Sequence, residues 1–168
     1  MRNGGREPNV FKGMVAGALG GLVASYAMNQ FQKVWSAAEE QINGKQKKKE
    51  EEGEDATMKT ADRISEAVQG RRLTKAEKEK AAPVVHYAFG TIMGAVYGAA
   101  VEINPATHTF TGVPFGAILF AGADEVALPA LGLSKGPLEY PLSKHLYGLV
   151  SHAVYGVTTE AVRRVVRG

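Results

Sequence analysis

Residues 86–102 read HYAFGTIMGAVYGAAVE, and residues 144–160 read KHLYGLVSHAVYGVTTE. Each stretch carries a row of small or ionisable residues, spaced by four, around a shared AVYG core. Residues four apart lie on one face of a helix, and glycines on that face let another helix approach closely. We therefore expect these two helices to pack against each other along their rows. A similar row starts at residue 13, and the glycines assigned to helix packing are Gly13, Gly17, Gly21, Gly90, Gly94, Gly98, Gly148 and Gly156.

The repeat extends over the whole chain in a weaker form. The two AVYG segments are 58 residues apart, and an offset of 99 residues aligns Gly13 and Gly17 with Gly112 and Gly116. These offsets predict a duplicated helical hairpin in which the first hairpin has received an insert. The predicted fold is an all-α, four-span transmembrane helical bundle that forms one membrane domain of residues 1–168. The predicted spans are 10–35, 83–103, 109–131 and 138–162, with spans one and three parallel and spans two and four parallel.

The charges are concentrated in one part of the chain. Residues 39–80 hold 11 of the 20 Lys and Arg residues and 11 of the 17 Asp and Glu residues. The other segments are poor in charge, and each candidate span is long enough to cross about 30 Å of hydrocarbon. A soluble, glycine-rich bundle is the alternative, but each interior glycine costs a helix about 0.5–1 kcal/mol relative to alanine. The absence of Cys excludes disulfides and Cys-based metal or redox sites.

The charged insert, residues 39–80, is predicted to contain a solvated linker and short amphipathic helices. Its first half, KQKKKEEEGED, has balanced charges that argue against nucleic-acid binding. The first helix is expected to end at Asn43, a second helix to stop at Gly70, and a T-x-x-E capping box at Thr74 and Glu77 to start a third. We expect the second helix to lie on the membrane surface or on a partner through one apolar face, made of Met58, Ala61, Ile64 and Val68.

Seven ionisable residues lie inside the predicted spans: His86, Glu102, Asp124, Glu125, His145, His152 and Glu160. An ionisable side chain in lipid is costly, so each is expected to face a partner helix, a cavity or the membrane boundary. The four carboxylates are candidates for an ion or proton path. The three histidines are candidates for a haem or divalent-metal site. The structural alternative, in both cases, is a hydrogen-bonded side chain that sets the register between helices.

No pattern typical of a soluble catalyst accompanies these residues. The chain lacks a phosphate-binding loop and an H-E-x-x-H motif, and its G-x-S-x-G match at 132–136 lies between Pro129 and Pro137 instead of after a strand. We therefore expect no enzymatic activity, no catalytic residue and no required cofactor. The leading hypothesis is an accessory or scaffold subunit of a membrane complex, with the lipid bilayer and other membrane subunits or further copies as partners. The alternatives are a proton- or ion-handling membrane protein that uses Asp124, Glu125 and the intramembrane His, and a haem or metal carrier.

Residues 115–168 combine a Gly/Ala-rich span, a P-x-x-G-L turn at 129–133, a polar helix with a central histidine, Glu160 and the Arg163-Arg164 pair. In these features, and more loosely over 86–102, the chain resembles the YagU-like family of bacterial inner-membrane proteins, whose function is not established. The charged insert departs from that family's pattern. The resemblance implies a multi-pass protein of the bacterial cytoplasmic (inner) membrane and supplies no catalytic residue. The basic residues after the last span favour cytoplasmic termini, whereas those of the insert favour the opposite orientation.

Overall fold

The computed structural model describes residues 7–43 and 54–168, and the regular structure in those residues is helical throughout. The α-helices are α1 (Val10–Asn43), α2 (Ala56–Gln69), α3 (Lys75–Ile103), α4 (Val113–Leu119), α5 (Leu128–Ala130) and α6 (Leu142–Arg167). A 3-10 helix, Pro105–Gly112, precedes α4, and a 3-10 turn, Pro137–Glu139, precedes α6. A π-helix, Phe120–Ala127, joins α4 to α5, so that Val113–Ala130 forms one continuous segment, here called the third span. The all-α prediction is confirmed.

Helices α1 and α3 pack antiparallel with their backbones in contact. The facing pairs along the two helices are Gly13 with Gly98, Gly17 with Gly94, and Gly21 with Gly90. A Cβ atom added at Gly17 would lie 2.9 Å from the Cα of Gly98, so any larger residue there would push the helices apart. The glycine row of α3 therefore faces α1, and the prediction that it packs against the row of α6 is wrong. The row on α1 has the same spacing, and two matched glycine rows allow a closer approach than a row facing larger side chains.

Helix α6 runs antiparallel to the third span and to α1. Its glycine row faces the third span, where a Cβ atom at Gly156 would lie 2.9 Å from the backbone nitrogen of Gly116, and Gly148 lies against the ring of Phe120. Another face of α6 contacts α1, and the rings of Trp35 and Tyr147 lie 5.8 Å apart at that contact. The buried core lies where α1 and α6 meet, and the third span adds two partly buried residues to it. Its members are Ala24, Met28, Tyr155, Phe115 and Leu119.

The third span starts later than the sequence predicts. Residues 105–112 form a 3-10 helix, and the chain then turns at Thr111 and Gly112, which have left-handed φ angles of 57° and 85°. Pro114 follows in the first turn of α4. A backbone N–H has no helical acceptor there, so the missing N–H of proline costs no hydrogen bond. The predicted start at residue 109 is therefore wrong, because an α-helix cannot run through two left-handed residues.

Three helical segments are long and apolar enough to cross a membrane: residues 10–42 of α1, α3, and the third span. Helix α6, the fourth predicted span, has 26 residues but is not among them. Its polar side chains lower its hydropathy, and several of them are buried within the protein instead of exposed on its surface. The buried polar residues of α6 are Ser151, His152, Thr159, Glu160 and Arg163.

The insert contributes an ordered helix to the fold. Helix α2 ends at Gly70, which has a left-handed φ of 68°, and the Thr74–Glu77 capping box starts α3, as the sequence predicts. Helix α2 packs against α3 of its own chain, and its Ala61 and Ser65 are buried. That part of its apolar face is thus occupied within the protein, although Ile64 stays exposed. The predicted solvated linker lies outside the described residues, except for its last two positions.

Candidate functional site

The π-helix of the third span places Asp124 and Glu125 at the centre of the candidate site. The backbone N–H of Leu128 donates to the carbonyl of Ala123, five residues earlier, as a π-helical turn requires. Pro129 follows at once, and a proline within a helix clashes with the carbonyl four residues before it. The wider turn relieves that conflict at Glu125. Single π-helical turns inside α-helices are frequent at functional sites.

Glu125 forms an ion pair with His145 of α6. Its Oε1 lies 2.7 Å from His145 Nδ1, and His145 Nε2 lies 2.9 Å from the carbonyl oxygen of Pro137. A carbonyl and a carboxylate can only accept hydrogen bonds, so an imidazole that donates to both must carry two protons. The ring of Tyr140 lies edge-on to His145 at 6.5 Å between centroids. The pair is therefore held in place from the third span, the 3-10 turn and α6.

Asp124 faces a different histidine, His152, also on α6. Its Oδ2 lies 3.8 Å from His152 Nδ1, which is itself 2.9 Å from the backbone carbonyl of Gly148. The side chain of His152 is 9% exposed, whereas that of Asp124 is 38% exposed. Phe120 packs on the His152 ring, with centroids 5.6 Å apart. This pair is looser than the Glu125–His145 pair, and one of its members reaches the protein surface.

His86 of α3 approaches the same place from the other side. Its Nε2 lies 3.4 Å from the backbone carbonyl of Ser25, and its ring is within electrostatic reach of both Asp124 and His152. His86 therefore lies near the Asp124–His152 pair, and no hydrogen bond or ion pair joins it to either residue in the described part of the chain. The structure places His145 in a separate contact with Glu125. Among the described residues, no group of three or more His, Asp or Glu side chains is arranged to hold a metal ion.

Glu102 and Glu160 lie at the opposite end of the bundle. Glu160 is 1% exposed and accepts hydrogen bonds from Arg163 at 2.6 Å and from Arg164. Glu102 is bound by Arg167 at 2.6 Å and by the backbone N–H of Asn9 at 2.7 Å. Glu102 is 16 residues after His86 on α3, which corresponds to about 24 Å along a helix. Each of these two carboxylates is paired locally with arginine, and no contact joins them to Asp124 or Glu125 within the described part of the chain.

The arginine partners of these carboxylates were not predicted as site residues. The Glu160–Arg163 and Glu160–Arg164 pairs follow the i,i+3 and i,i+4 spacings of a helix, and that signal was present in the sequence. The Glu102–Arg167 pair joins residues 65 positions apart, so it depends on the way α3 and α6 pack. The carbonyl of Ser25, which binds His86 from 61 positions away, leaves no signal in the sequence, whereas the Gly148 carbonyl lies one helical turn before His152.

The chain belongs to a family described as a protein of unknown function (DUF1440), whose model matches residues 60–161. The matched region starts within α2 and ends within α6, so it contains both carboxylate–histidine pairs, His86, Glu102 and Glu160. Helix α1, which packs against α3 and α6, precedes it. No curated protein and no solved structure matches the chain.

Proposed function

We propose that this member of the DUF1440 family is an accessory subunit of a membrane complex, and that its third span docks against a transmembrane helix of another subunit. The proposal rests on the unequal burial of the spans. Only 6% of the third span is buried inside the protein. The corresponding shares are 39% for the apolar segment of α1 and 28% for that of α3. The third span also carries Asp124, a carboxylate with 38% of its side chain exposed. A carboxylate within a membrane span costs free energy when it faces lipid, and a partner helix lowers that cost.

The apolar surface of the third span fits such a contact. Ile118, just before the π-helix, and Val126, near its end, are 71% and 64% exposed. Small residues, including Gly122, lie between them, and a Cβ atom at Gly122 would meet no described atom within 4 Å. Small residues beside larger apolar ones are the surface that another transmembrane helix uses to pack closely.

We further propose that α6 crosses the membrane as a fourth span. It lies alongside α1 and the third span over most of its length, with buried polar residues on the side that faces them. Leu146 and Val157 are among its exposed apolar residues. A low mean hydropathy is compatible with a span when the polar side chains face protein.

The contacts of the two halves support the predicted duplication. In the first half, three glycines of α1 face the glycine row of α3, and in the second, Gly112 and Gly116 face residues 156 and 152 of α6. Both pairs of helices are antiparallel and use the equivalent rows of the repeat. A duplicated hairpin explains why each row packs on the first helix of its own half. On the resemblance of residues 115–168, we place the protein in the bacterial cytoplasmic membrane.

The experiment that tests the accessory role is site-specific photocrosslinking in the native membrane. A photoreactive amino acid replaces Ile118 or Val126, and the matched control replaces Leu22, an exposed apolar residue on α1. We expect crosslinks to a different membrane protein from positions 118 and 126 and none from position 22. Native mass spectrometry of the complex in mild detergent then gives its composition.

Other outcomes would contradict the proposal. A crosslink of the chain to itself, with a homo-oligomeric mass, would replace the accessory role with self-association. A bare monomer without crosslinks from positions 118 and 126 would show that lipid covers the third span.

A further inference from the structure

We propose that a cavity between α2 and the turn after the third span binds the phosphate group of an anionic phospholipid through Lys59 and Arg63. The cavity has a volume of about 240 Å³. Helix α2 contributes the two basic side chains to its lining, and the turn contributes Gly132 and Leu133. None of these residues belongs to the third span, so the site is separate from the partner surface proposed above.

These two cations have no counter-ion in the described ranges 7–43 and 54–168, where neither forms an ion pair. Lys59 and Arg63 are four residues apart and therefore lie on one face of α2. Lys59 is half-buried. The Arg63 guanidinium lies over the turn, where its Nη2 is 3.9 Å from a Cβ atom built at Gly132. Like charges at this spacing repel each other, and an anion bound between them removes that repulsion.

Three carboxylates also line the cavity, and each is bound to another cation. Glu66 pairs with Arg72 at 3.3 Å. Glu54 and Asp62 share Lys78, whose Nζ lies 3.0 Å from an oxygen of each. Four basic side chains against three acidic ones give the cavity a net charge of +1. A phosphodiester carries one negative charge and balances this lining, whereas a phosphate monoester carries between about 1.5 and 2 negative charges.

The cavity lies where the spans leave the membrane, at the level of lipid headgroups. Its residue Gly132 comes two positions after the end of the third span, and Lys78 precedes the part of α3, residues 81–101, that has no Asp, Glu, Lys or Arg. Leu131 and Leu142, on the two segments that flank the turn, are 61% and 82% exposed. Acyl chains of a phospholipid cover such leucines, and a soluble anion does not. Basic pockets beside membrane helices bind anionic headgroups in this way.

The test is native mass spectrometry of the full chain in mild detergent, titrated separately with phosphatidylglycerol, phosphatidylcholine and inorganic phosphate. We expect one phosphatidylglycerol molecule to bind more tightly than phosphatidylcholine. Combining Lys59→Gln with Arg63→Gln should raise the Kd for phosphatidylglycerol about 25-fold, since each basic residue near an anionic headgroup contributes about five-fold. The matched control combines Lys75→Gln with Lys80→Gln, exposed positions of α3 that do not line the cavity. It changes the net charge equally and should raise the Kd less than about two-fold.

A further variant separates charge from folding. Lys59→Arg combined with Arg63→Lys keeps both charges and should keep the affinity for phosphatidylglycerol, and hydrogen exchange of residues 56–69 shows whether α2 stays docked in each variant. Three results would overturn the assignment: equal retention of phosphatidylglycerol and phosphatidylcholine, equal losses in the cavity variant and its matched control, or loss of binding in the charge-conserving variant. Displacement of phosphatidylglycerol by an equal concentration of inorganic phosphate would replace the lipid with free phosphate as the ligand.

Discussion

Buried charge at single residues is compensated locally in this protein. Glu160 has only 1% of its side chain exposed. Arg163 compensates this burial by donating two hydrogen bonds to it, at 2.6 and 2.9 Å. Desolvating a carboxylate costs several kcal/mol, and only paired donors of this quality offset that cost. The same principle explains Glu102, which Arg167 and the backbone of Asn9 bind together. These residues stabilise the bundle at the end opposite to the π-helix.

Replacing Glu160 with Gln should lower the free energy of unfolding by about 3–5 kcal/mol, because it leaves Arg163 buried without its anion. Glu66→Gln is the matched control, since Glu66 pairs with an exposed arginine, Arg72, and its loss should cost less than about 1 kcal/mol. Unfolding by SDS in mixed micelles measures both variants. Equal costs for the two would contradict the importance of the buried pair.

The glycine contact between α1 and α3 makes a second prediction at this scale. Gly17→Ala should lower the free energy of unfolding by about 1–3 kcal/mol, because its new methyl group meets the backbone of α3, which cannot move aside. Gly122→Ala, placed in open space, should leave stability unchanged or raise it by up to about 1 kcal/mol. The same SDS assay compares the two, and a Gly17→Ala protein as stable as the original would refute the close contact.

At the scale of an element, α2 is held on the bundle by polar contacts more than by its apolar face. Asp62 accepts a hydrogen bond from the backbone N–H of Leu73 at 2.8 Å, and Lys78 lies 3.0 Å from Asp62 and from Glu54. Met58 and Ala61 lie inward, but Val68 is 78% exposed. The hydrophobic pattern thus predicts the helix and its end, while the polar contacts decide its position.

Docking of α2 should depend on pH. The Leu73 N–H and then Lys78 lower the pKa of Asp62 below its ordinary value of 3.8. A carboxylate with a lowered pKa stabilises the folded state fully above its unfolded pKa, and this contribution decreases as the pH falls below that value and is lost once the pH has fallen through the lower, folded-state pKa. Hydrogen exchange of residues 56–69 should therefore be slow at about pH 7 and become faster, relative to α3, below about pH 4.

The variant Asp62→Asn tests the cause. Exchange in its α2 should already be fast at neutral pH and should change little on acidification, whereas Glu66→Gln should behave as the unchanged protein. If Asp62→Asn protected α2 as well as the original chain does, the Leu73 and Lys78 contacts would not be what holds the helix.

At the scale of the whole molecule, the bundle is arranged around α1. Helix α1 contacts α3 through glycines and α6 through a mixed face, whereas the third span contacts mainly α6. The third span is therefore the most exposed of the apolar segments. This asymmetry is the reason for assigning the partner interface to that span.

A fourth prediction concerns membrane topology. The chain contains no Cys, so a single introduced Cys can be labelled without background. If α6 crosses the membrane, Cys at Lys59 and at Lys135 should be labelled from one side, and Cys at Thr107 and at Gly168 from the other. Labelling with a membrane-impermeant maleimide on intact cells and on inverted vesicles distinguishes the sides. Labels at positions 135 and 168 from the same side would show that α6 does not cross.

The sequence by itself determined the helical class, the end of α2 and the start of α3, and it supplied the residues of the candidate site as hypotheses. These follow from local physics: the four-residue spacing of glycine, the capping box at Thr74 and the left-handed stop at Gly70 act over one or two turns. The predictions of which glycine rows face each other and of where the third span begins were wrong. Row pairing depends on which neighbour also offers small residues, and a periodic pattern on one helix does not contain that information. Only the tertiary structure separated the Glu125–His145 pair from the Asp124–His152 pair, because both pairs form where the π-helix packs against α6. The Ser25 carbonyl, 61 positions from His86, binds that third histidine because α1 packs on α3.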